Sequence, residues 1–322
     1  MKFLEVPGLG QVSRVGLGTW QFGSREWGYG EGYATGAAVE IVARARELGV
    51  TLFDTAEIYG FGKSERILAG ALGADRDQVV VASKVFPVAP FPAVVRRRAH
   101  ASARRLQLRR IPLYQVHQPN PVVPDSVIMR GMRGLLQDGR IGAVGVSNYS
   151  LSRWIRADDA LGQPVVSNQV QFSLAHPAPL EDLVPFAARE NRMVMAYSPL
   201  AQGLLGGKYT VENRPGGVRA ANPLFGTENL HRVAPLLDTL RQVAHAHDVE
   251  PAQVALAWLL GLPQVVVIPG ASSVEQLELN VAAADLELGA SSRAALTEAA
   301  RDFTPISAGR TLVGRLRERL GG

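Results

Sequence analysis

Phe53-Asp54-Thr55-Ala56-Glu57-Ile58-Tyr59-Gly60 is the stretch that decides how this chain is read. The apolar run 50–53 ends on a carboxylate, Asp54, and a tyrosine follows five residues later. The same event recurs along the chain. An apolar, strand-like run stops, and a polar, ionisable or glycine residue stands at its C-terminal edge. Lys84, His117, Asn148, Gln169, Tyr197 and Gly270 are the later instances. Between these runs lie segments of helical period, with apolar residues three and four apart. Alternating valine-rich runs and helical connections predict an α/β fold whose parallel strands are covered on their faces. Eight strand–helix steps favour a closed (β/α)8 TIM barrel over an open doubly wound sheet. No Gly-x-Gly-x-x-Gly stands between a strand and a helix, so the dinucleotide fingerprint of the open sheet is missing.

Working outward, residues 2–6 and 11–15 flank Pro7-Gly8-Leu9-Gly10 and read as an N-terminal β-hairpin. A short strand ends at Thr19-Trp20. The loop 21–33 after it is rich in glycine and aromatics (Phe22, Trp27, Tyr29, Tyr33) and reads as a binding wall. Helices are expected over 35–48, 64–72, 93–108, 125–137, 150–160, 180–190, 230–247, 251–260, 273–283 and 291–300. Asp125 and Ser150 are read as helix caps, and Ser273-Val274-Glu275-Gln276 as a capping box. Strands are expected over 50–53, 79–82, 111–116, 141–146, 193–196 and 265–268. The loop 199–227 has no periodicity and is rich in glycine. No linker divides the chain, so residues 1–322 are expected to form one domain: hairpin 1–15, barrel about 15–283, then a C-terminal helix and basic tail 284–322.

The chain has 322 residues and a hydrophobic fraction of 47%, enough for a large core. Its net charge of +5 includes no dense basic block, because the arginines at 96–98 and 104–105 fall in a helical pattern and read as a solvated face. Nucleic acid is therefore not an expected partner. There is no cysteine, which excludes disulfides and thiolate catalysis. No apolar run approaches membrane-spanning length. With no secretory leader pattern at its start, the chain is expected in the cytoplasm, without a membrane partner.

In a barrel, the C-terminal strand edges converge on one mouth. Asp54, Tyr59, Lys84 and His117 would then share a pocket although they lie far apart in sequence. A phenol at its ordinary pKa of about 10 is a poor proton donor. A lysine beside it favours the phenolate and eases proton release. Asp54 would hold the ammonium, and His117 could donate a hydrogen bond to a substrate oxygen. Together they form a general acid aimed at a carbonyl. None is a nucleophile in position, so a nicotinamide hydride is the natural attacking group. Taken singly, each residue has a plain structural reading: a cap or ion-pair anchor for Asp54, a backbone-bonded histidine for His117, a packing aromatic for Tyr59. The four together favour function. The six histidines are scattered, and no metal site is expected. Farther along, Ser147, Asn148 and Gln169 offer partners for a carboxamide, and Tyr197 offers a flat face for a nicotinamide ring. The glycine-rich segment 198–207 can fold over a pyrophosphate. Backbone amides at 270–276, before a helix, can receive a phosphate.

These residues resemble an aldo-keto reductase. The resemblance is carried by Gly16-Leu17-Gly18-Thr19-Trp20, the stretch 53–60, Ser83-Lys84 and Leu113-Tyr114-Gln115-Val116-His117. It continues through Gly145-Val146-Ser147-Asn148-Tyr149, Asn168-Gln169, Tyr197-Ser198-Pro199-Leu200, Gly206-Gly207-Lys208-Tyr209 and Ile268-Pro269-Gly270-Ala271. The segments span about residues 12–283. The loop that begins at Tyr197 is similar to the branch that includes bacterial oxidoreductases and potassium-channel β subunits. The resemblance implies a (β/α)8 barrel whose hairpin closes the bottom, and NADPH/NADP+ bound without a Rossmann domain. It implies Asp54, Tyr59, Lys84 and His117 as catalytic residues, with Tyr59 as proton donor. It implies cofactor contacts at Trp20, Asp54, Ser147, Asn148, Gln169 and Tyr197 around the nicotinamide. Ser198, Leu200, Gly203, Leu205 and Lys208 follow on the loop, with Arg219 as a further cofactor-side cation, and Gly270, Ser272, Gln276 and Asn280 at the adenine end.

Three positions depart from the family pattern. Gln118-Pro119-Asn120 follows His117 where many relatives carry tryptophan. Ser272 stands where many bacterial relatives have an arginine for the 2′-phosphate, which leaves NADH open as a cofactor. Leu279 replaces a glutamate that contacts adenine. The expected reaction is NADPH-dependent reduction of an aldehyde or ketone, a small-molecule carbonyl, with room for self-association into a homo-oligomer. The aromatics near Trp20 suggest an apolar or aromatic carbonyl, although sugars and small aldehydes fit the same pattern. The competing reading is a nicotinamide-binding sensor or regulatory subunit with slow turnover.

Overall fold

Valine-rich runs with helical connections form parallel strands because both faces of each strand are buried. The computed structural model describes residues 1–22 and 36–306. It begins with β1 (Phe3–Val6) and β2 (Gly10–Ser13), an antiparallel hairpin that pairs Phe3 with Ser13 and Val6 with Gly10. Strands β3 (Leu17–Gly18), β4 (Leu52–Asp54), β5 (Val80–Val85) and β6 (Ile111–Val116) follow. Then come β7 (Ile141–Ser147), β8 (Ser167–Gln171), β9 (Met193–Tyr197) and β10 (Val265–Val267). These eight pair in parallel, in sequence order. A parallel bridge from Val15 to Val267 closes the ring. It is reinforced by Gly16 N–H to Val267 O, 2.8 Å, and Gly18 N–H to Pro269 O, 3.0 Å. Glycine is needed at the seam, since a Cβ on Gly18 would lie 2.7 Å from the Ile268 carbonyl.

The connecting helices are α1 (Ala38–Glu47), α2 (Lys63–Leu72), α3 (Pro92–Leu106), α4 (Asp125–Gln137) and α5 (Leu151–Leu161). They continue with α6 (Leu183–Arg189), α7 (Thr227–His247), α8 (Pro251–Leu260), α9 (Val274–Ala282) and α10 (Ala290–Asp302). Each outer ring helix turns an apolar stripe onto the strands, as Ala38, Ile41, Val42 and Ala45 do in α1. Inside the barrel, Leu52, Val80, Ala82, Leu113, Ala143, Met193, Met195 and Val266 form a separate apolar cluster. Val6 and Val12 of the hairpin belong to this inner cluster and plug one end. The other end is the mouth formed by the C-terminal strand edges.

Local expectations needed several corrections. β5 runs on through Ser83 and Lys84, so Lys84 sits inside the strand rather than beyond it. Asp125 does not cap α4. The cap position is Pro124, and the Asp125 carboxylate instead receives the Tyr149 hydroxyl at 2.7 Å and the Arg153 guanidinium at 2.7 and 3.0 Å. An ionised partner outcompetes a backbone N–H there. Ser150 does cap α5, accepting from Arg153 N–H. Ser273 caps α9 by accepting from Gln276 N–H, but the Gln276 side chain does not return to the Ser273 backbone. Its carbonyl oxygen accepts instead from Ser272 N–H and Ser272 Oγ, at 2.9 and 2.6 Å. α6 begins only at Leu183, after a short 3-10 turn at Ala178–Leu180. Phe22 is fully buried in the core rather than in a binding wall. Trp27, Tyr29, Tyr33 and the basic tail beyond residue 306 lie outside the described residues. Among the described residues, no helix is long and apolar enough to cross a membrane.

Candidate active site

Asp54, Lys84 and His117 come from three adjacent strand edges, and Tyr59 from the loop after β4. The barrel brings the four together. Lys84 is fully buried. Its Nζ donates to Asp54 Oδ2 at 2.7 Å, to the Thr55 carbonyl at 2.9 Å and to Tyr59 OH at 3.1 Å. An ammonium has three protons and no acceptor, so all three are committed. The Tyr59 oxygen accepts from Lys84, and its own proton must therefore point elsewhere. The Tyr59 ring lines the central cavity. The other Asp54 oxygen accepts from Gln169 Nε2 at 2.7 Å, so the carboxylate is held on both sides.

The electrostatics modify the expected role of the lysine. Burial raises the Tyr59 pKa more than Lys84 lowers it, and Asp54 adds to the rise. The phenol is thus held as a protonated acid, not tipped toward phenolate. For Lys84, burial pulls the pKa down, but Asp54 and Tyr59 outweigh it and the net direction is up. His117 is pushed down to about 3, first by burial and then by the Lys84 charge. It is a neutral imidazole at ordinary pH. Its ring meets Tyr59 edge-on, with centroids 5.7 Å apart, and also meets Phe86 edge-on at 5.8 Å. A protonated phenol beside a neutral imidazole presents two hydrogen-bond donors to one small region of space, suited to a carbonyl oxygen.

The cavity has a volume of about 1070 Å³, above the usual 300–1,000 Å³ of small-molecule sites. It runs from Trp20, Tyr59 and His117, past Ser147, Asn148, Gln169 and Tyr197, along Ser198, Leu200, Gly203 and Lys208, to Gly270, Ser272, Gln276 and Asn280. Arg219 also lines it. Leu205 is the exception among the expected contacts: it is fully buried in the hydrophobic core and does not line the cavity. Asn148, in the left-handed region at φ 61°, donates to Ser147 Oγ at 3.1 Å and to the His117 carbonyl at 3.3 Å. Its Oδ1 accepts from Tyr197 OH at 2.9 Å, which fixes the plane of the tyrosine ring. The loop after β9 turns tightly, with positive φ at Ser198, Ala201, Gln202 and Gly203.

Several lining residues were not singled out from sequence. Gln21 donates to the Ala271 carbonyl at 3.0 Å and helps join the seam of the barrel to the cavity wall. Gln171, the last residue of β8, and His176 in the loop after it line the wall, and Pro305 and Ile306 return from the C-terminal segment to the cavity. Ile306 is held by a two-way hydrogen bond with the Asn229 side chain. Gln21 and Ile306 reach the cavity through contacts distant in the chain, which no local pattern marks, whereas Gln171 stands at the C-terminal edge of β8, the kind of position the strand-end pattern could have found.

The Aldo/keto reductase family profile matches residues 14–301. An uncharacterized oxidoreductase of Mycobacterium tuberculosis is 76% identical over 320 residues, covering 99% of both chains. Among solved structures, the glycerol dehydrogenase from Gluconobacter oxydans superposes with a TM-score of 0.85 at 28% identity, covering 95% of this chain and 98% of its own. An aldo-keto reductase from Klebsiella pneumoniae in complex with NADPH gives 0.75 at 30% identity, covering 92% and 94%. The barrel with its hairpin plug, the buried lysine at its mouth and a profile match over nearly the whole length agree: this chain belongs to the aldo/keto reductase family.

Proposed function

We propose that the protein reduces an aldehyde or ketone to the alcohol with NADPH, and that Tyr59 is the general acid. The observation that carries this reading is the triple commitment of the Lys84 ammonium, to Asp54, the Thr55 carbonyl and Tyr59 OH. It leaves the phenol proton directed away from Lys84 while the ring lines the cavity. When bound, the reduced nicotinamide supplies a hydride for the carbonyl carbon. Tyr59 supplies the proton that turns the carbonyl oxygen into a hydroxyl. His117, neutral, donates a hydrogen bond that orients that oxygen. Asp54 and Lys84 hold the phenol and keep a positive charge beside the phenolate that remains.

The lining residues fit the cofactor. The fixed Tyr197 ring offers a stacking face, and Ser147, Asn148 and the Gln169 carbonyl offer partners to a carboxamide. Ser198, Leu200, Gly203 and Lys208 would follow the pyrophosphate, with Arg219 close by, and Gly270, Ser272, Gln276 and Asn280 the adenosine. The Tyr59→Phe variant tests the acid. It should keep NADPH affinity, read by fluorescence titration, and lose about 10²-fold or more in turnover with an aldehyde. Turnover equal to that of the unaltered protein would refute the assignment.

The adenosine end also supports use of NADH. Among the described residues, no Lys or Arg lines the cavity from 270 to 280. The Ser272 N–H and hydroxyl both donate to Gln276 Oε1, so two donors a 2′-phosphate would need are already engaged. The expected outcome is a kcat/KM ratio of NADPH to NADH of about tenfold or less, corresponding to about 1.4 kcal/mol. A preference for NADPH of three orders of magnitude would overturn this reading.

A further inference from the structure

Asp54 and Tyr59 face the cavity, but Glu57 between them turns the other way. Its side chain is only 9% exposed. Oε1 accepts from Phe86 N–H at 2.5 Å and lies 2.7 Å from Arg98 Nη2, while Oε2 accepts from Arg98 Nε at 3.0 Å. The carboxylate therefore meets the guanidinium fork to fork, the arrangement with the most geometric specificity. Arg98 is also committed at its remaining nitrogen, where Nη1 donates to the carbonyls of Phe86 at 2.6 Å and Val88 at 3.2 Å. The Glu57 backbone N–H adds a bond of 3.4 Å to the Lys84 carbonyl.

The partners of this clamp matter. Phe86 stands two residues beyond Lys84 on the same chain segment, and its ring packs edge-on against His117. Glu57 stands two residues before Tyr59, on the loop that starts at Asp54. One ion pair thus joins the loop bearing the phenol to the strand end bearing the ammonium, and fixes the aromatic ring against the imidazole. We infer that Glu57, oriented by Arg98, is a positioning residue for carbonyl reduction, setting the Tyr59–Lys84 contact and the place of His117. The inference rests on the reading of Tyr59 as the acid. The carboxylate touches neither substrate nor cofactor space, and it acts through the residues it holds. A plain fold-stabilising ion pair is the competing explanation. The two differ in what they change: a stabilising pair alters melting, whereas a positioning pair alters turnover at constant binding.

Asp158 supplies the comparison. It takes Arg192 Nη1 at 3.0 Å on both oxygens and the Val165 N–H at 2.7 Å, a partly buried ion pair remote from the mouth. The experiment measures kcat and KM with 4-nitrobenzaldehyde, the NADPH dissociation constant and the melting temperature for Glu57→Ala, Glu57→Gln and Asp158→Ala. Crystal structures of the unaltered protein and of a Glu57 variant give the Tyr59 OH to Lys84 Nζ distance. Glu57→Ala should lower kcat by about 10- to 100-fold, as displacement of about 1 Å at a reacting group does. KM and NADPH affinity should stay within about twofold. Glu57→Gln, which keeps an acceptor for Phe86 N–H, should fall between, and it carries the test if the alanine variant does not fold. Asp158→Ala should lower melting and leave kcat unchanged. The Tyr59–Lys84 distance should lengthen in the Glu57 variant. An unchanged distance, a kcat within about twofold of the unaltered protein, or a loss that Asp158→Ala shares would overturn the inference. Absence of aldehyde turnover in the unaltered protein would instead sink the proposed reaction, and the distance would still read the clamp.

Discussion

At the level of single residues, the site depends on which groups hold protons. Burial dominates for both Tyr59 and His117, in opposite directions because it always disfavours the charged form. The phenol rises and the imidazole falls to about 3. Both are then neutral donors across the ordinary range, and reduction needs no ionisation of His117 between pH 5 and 8. The expected pH profile of kcat/KM shows no step near 6.5, and the His117 ring resonances in NMR should not titrate there. A histidine step at about 6.5 in either measurement would contradict the buried neutral imidazole. The linkage to stability has a definite sign. Unfolded His117 takes up its proton near 6.5 and folded His117 only near 3. Its contribution is fully present above 6.5 and is lost as pH falls from 6.5 toward 3.

At the level of strands and helices, the barrel interior below the mouth is tightly packed. Gly145 on β7 faces Gln115 on β6 and Ser167 on β8, all buried. A Cβ at Gly145 would lie 2.3 Å from Ser167 Oγ and 2.9 Å from Gln115 Cγ. Gly145→Ala should therefore destabilise by about 1–3 kcal/mol, the usual cost of overpacking, measured by denaturant unfolding. Adding Ser167→Gly should recover part of that loss by removing the nearest atom. No recovery would mean that the strain lies in the backbone and not in this contact. Element positions were largely legible in sequence: β6 and α8 run as the apolar pattern predicts, and Ser150 caps α5. Asp125 departs from its expected capping role because a capping residue and a buried ion-pair partner look alike in sequence. Only the approach of Tyr149 and Arg153, 24 and 28 residues on, separates them.

For the whole molecule, closure does the organising. The Val15–Val267 bridge and Arg14, which donates to the carbonyls of Leu262 and Val265, join the two ends of an eight-stranded sheet. Closing the ring turns eight separate strand ends into one mouth, with the hairpin filling the opposite end. The cavity then needs contributions from all along the chain, including the C-terminal residues Pro305 and Ile306.

The amino-acid order alone determined the alternation of strand and helix, the number of steps and the chemical types at the strand ends, because these follow from local periodicity and from which residues interrupt it. It also placed Asp54, Tyr59, Lys84 and His117 at one mouth once a barrel was inferred. Only the tertiary structure decided how they are protonated, that Gln169 holds Asp54, that Leu205 is core, and that Glu57 faces Arg98. Burial and hydrogen bonding between residues tens of positions apart set those outcomes, and neither is encoded in any short window of the chain.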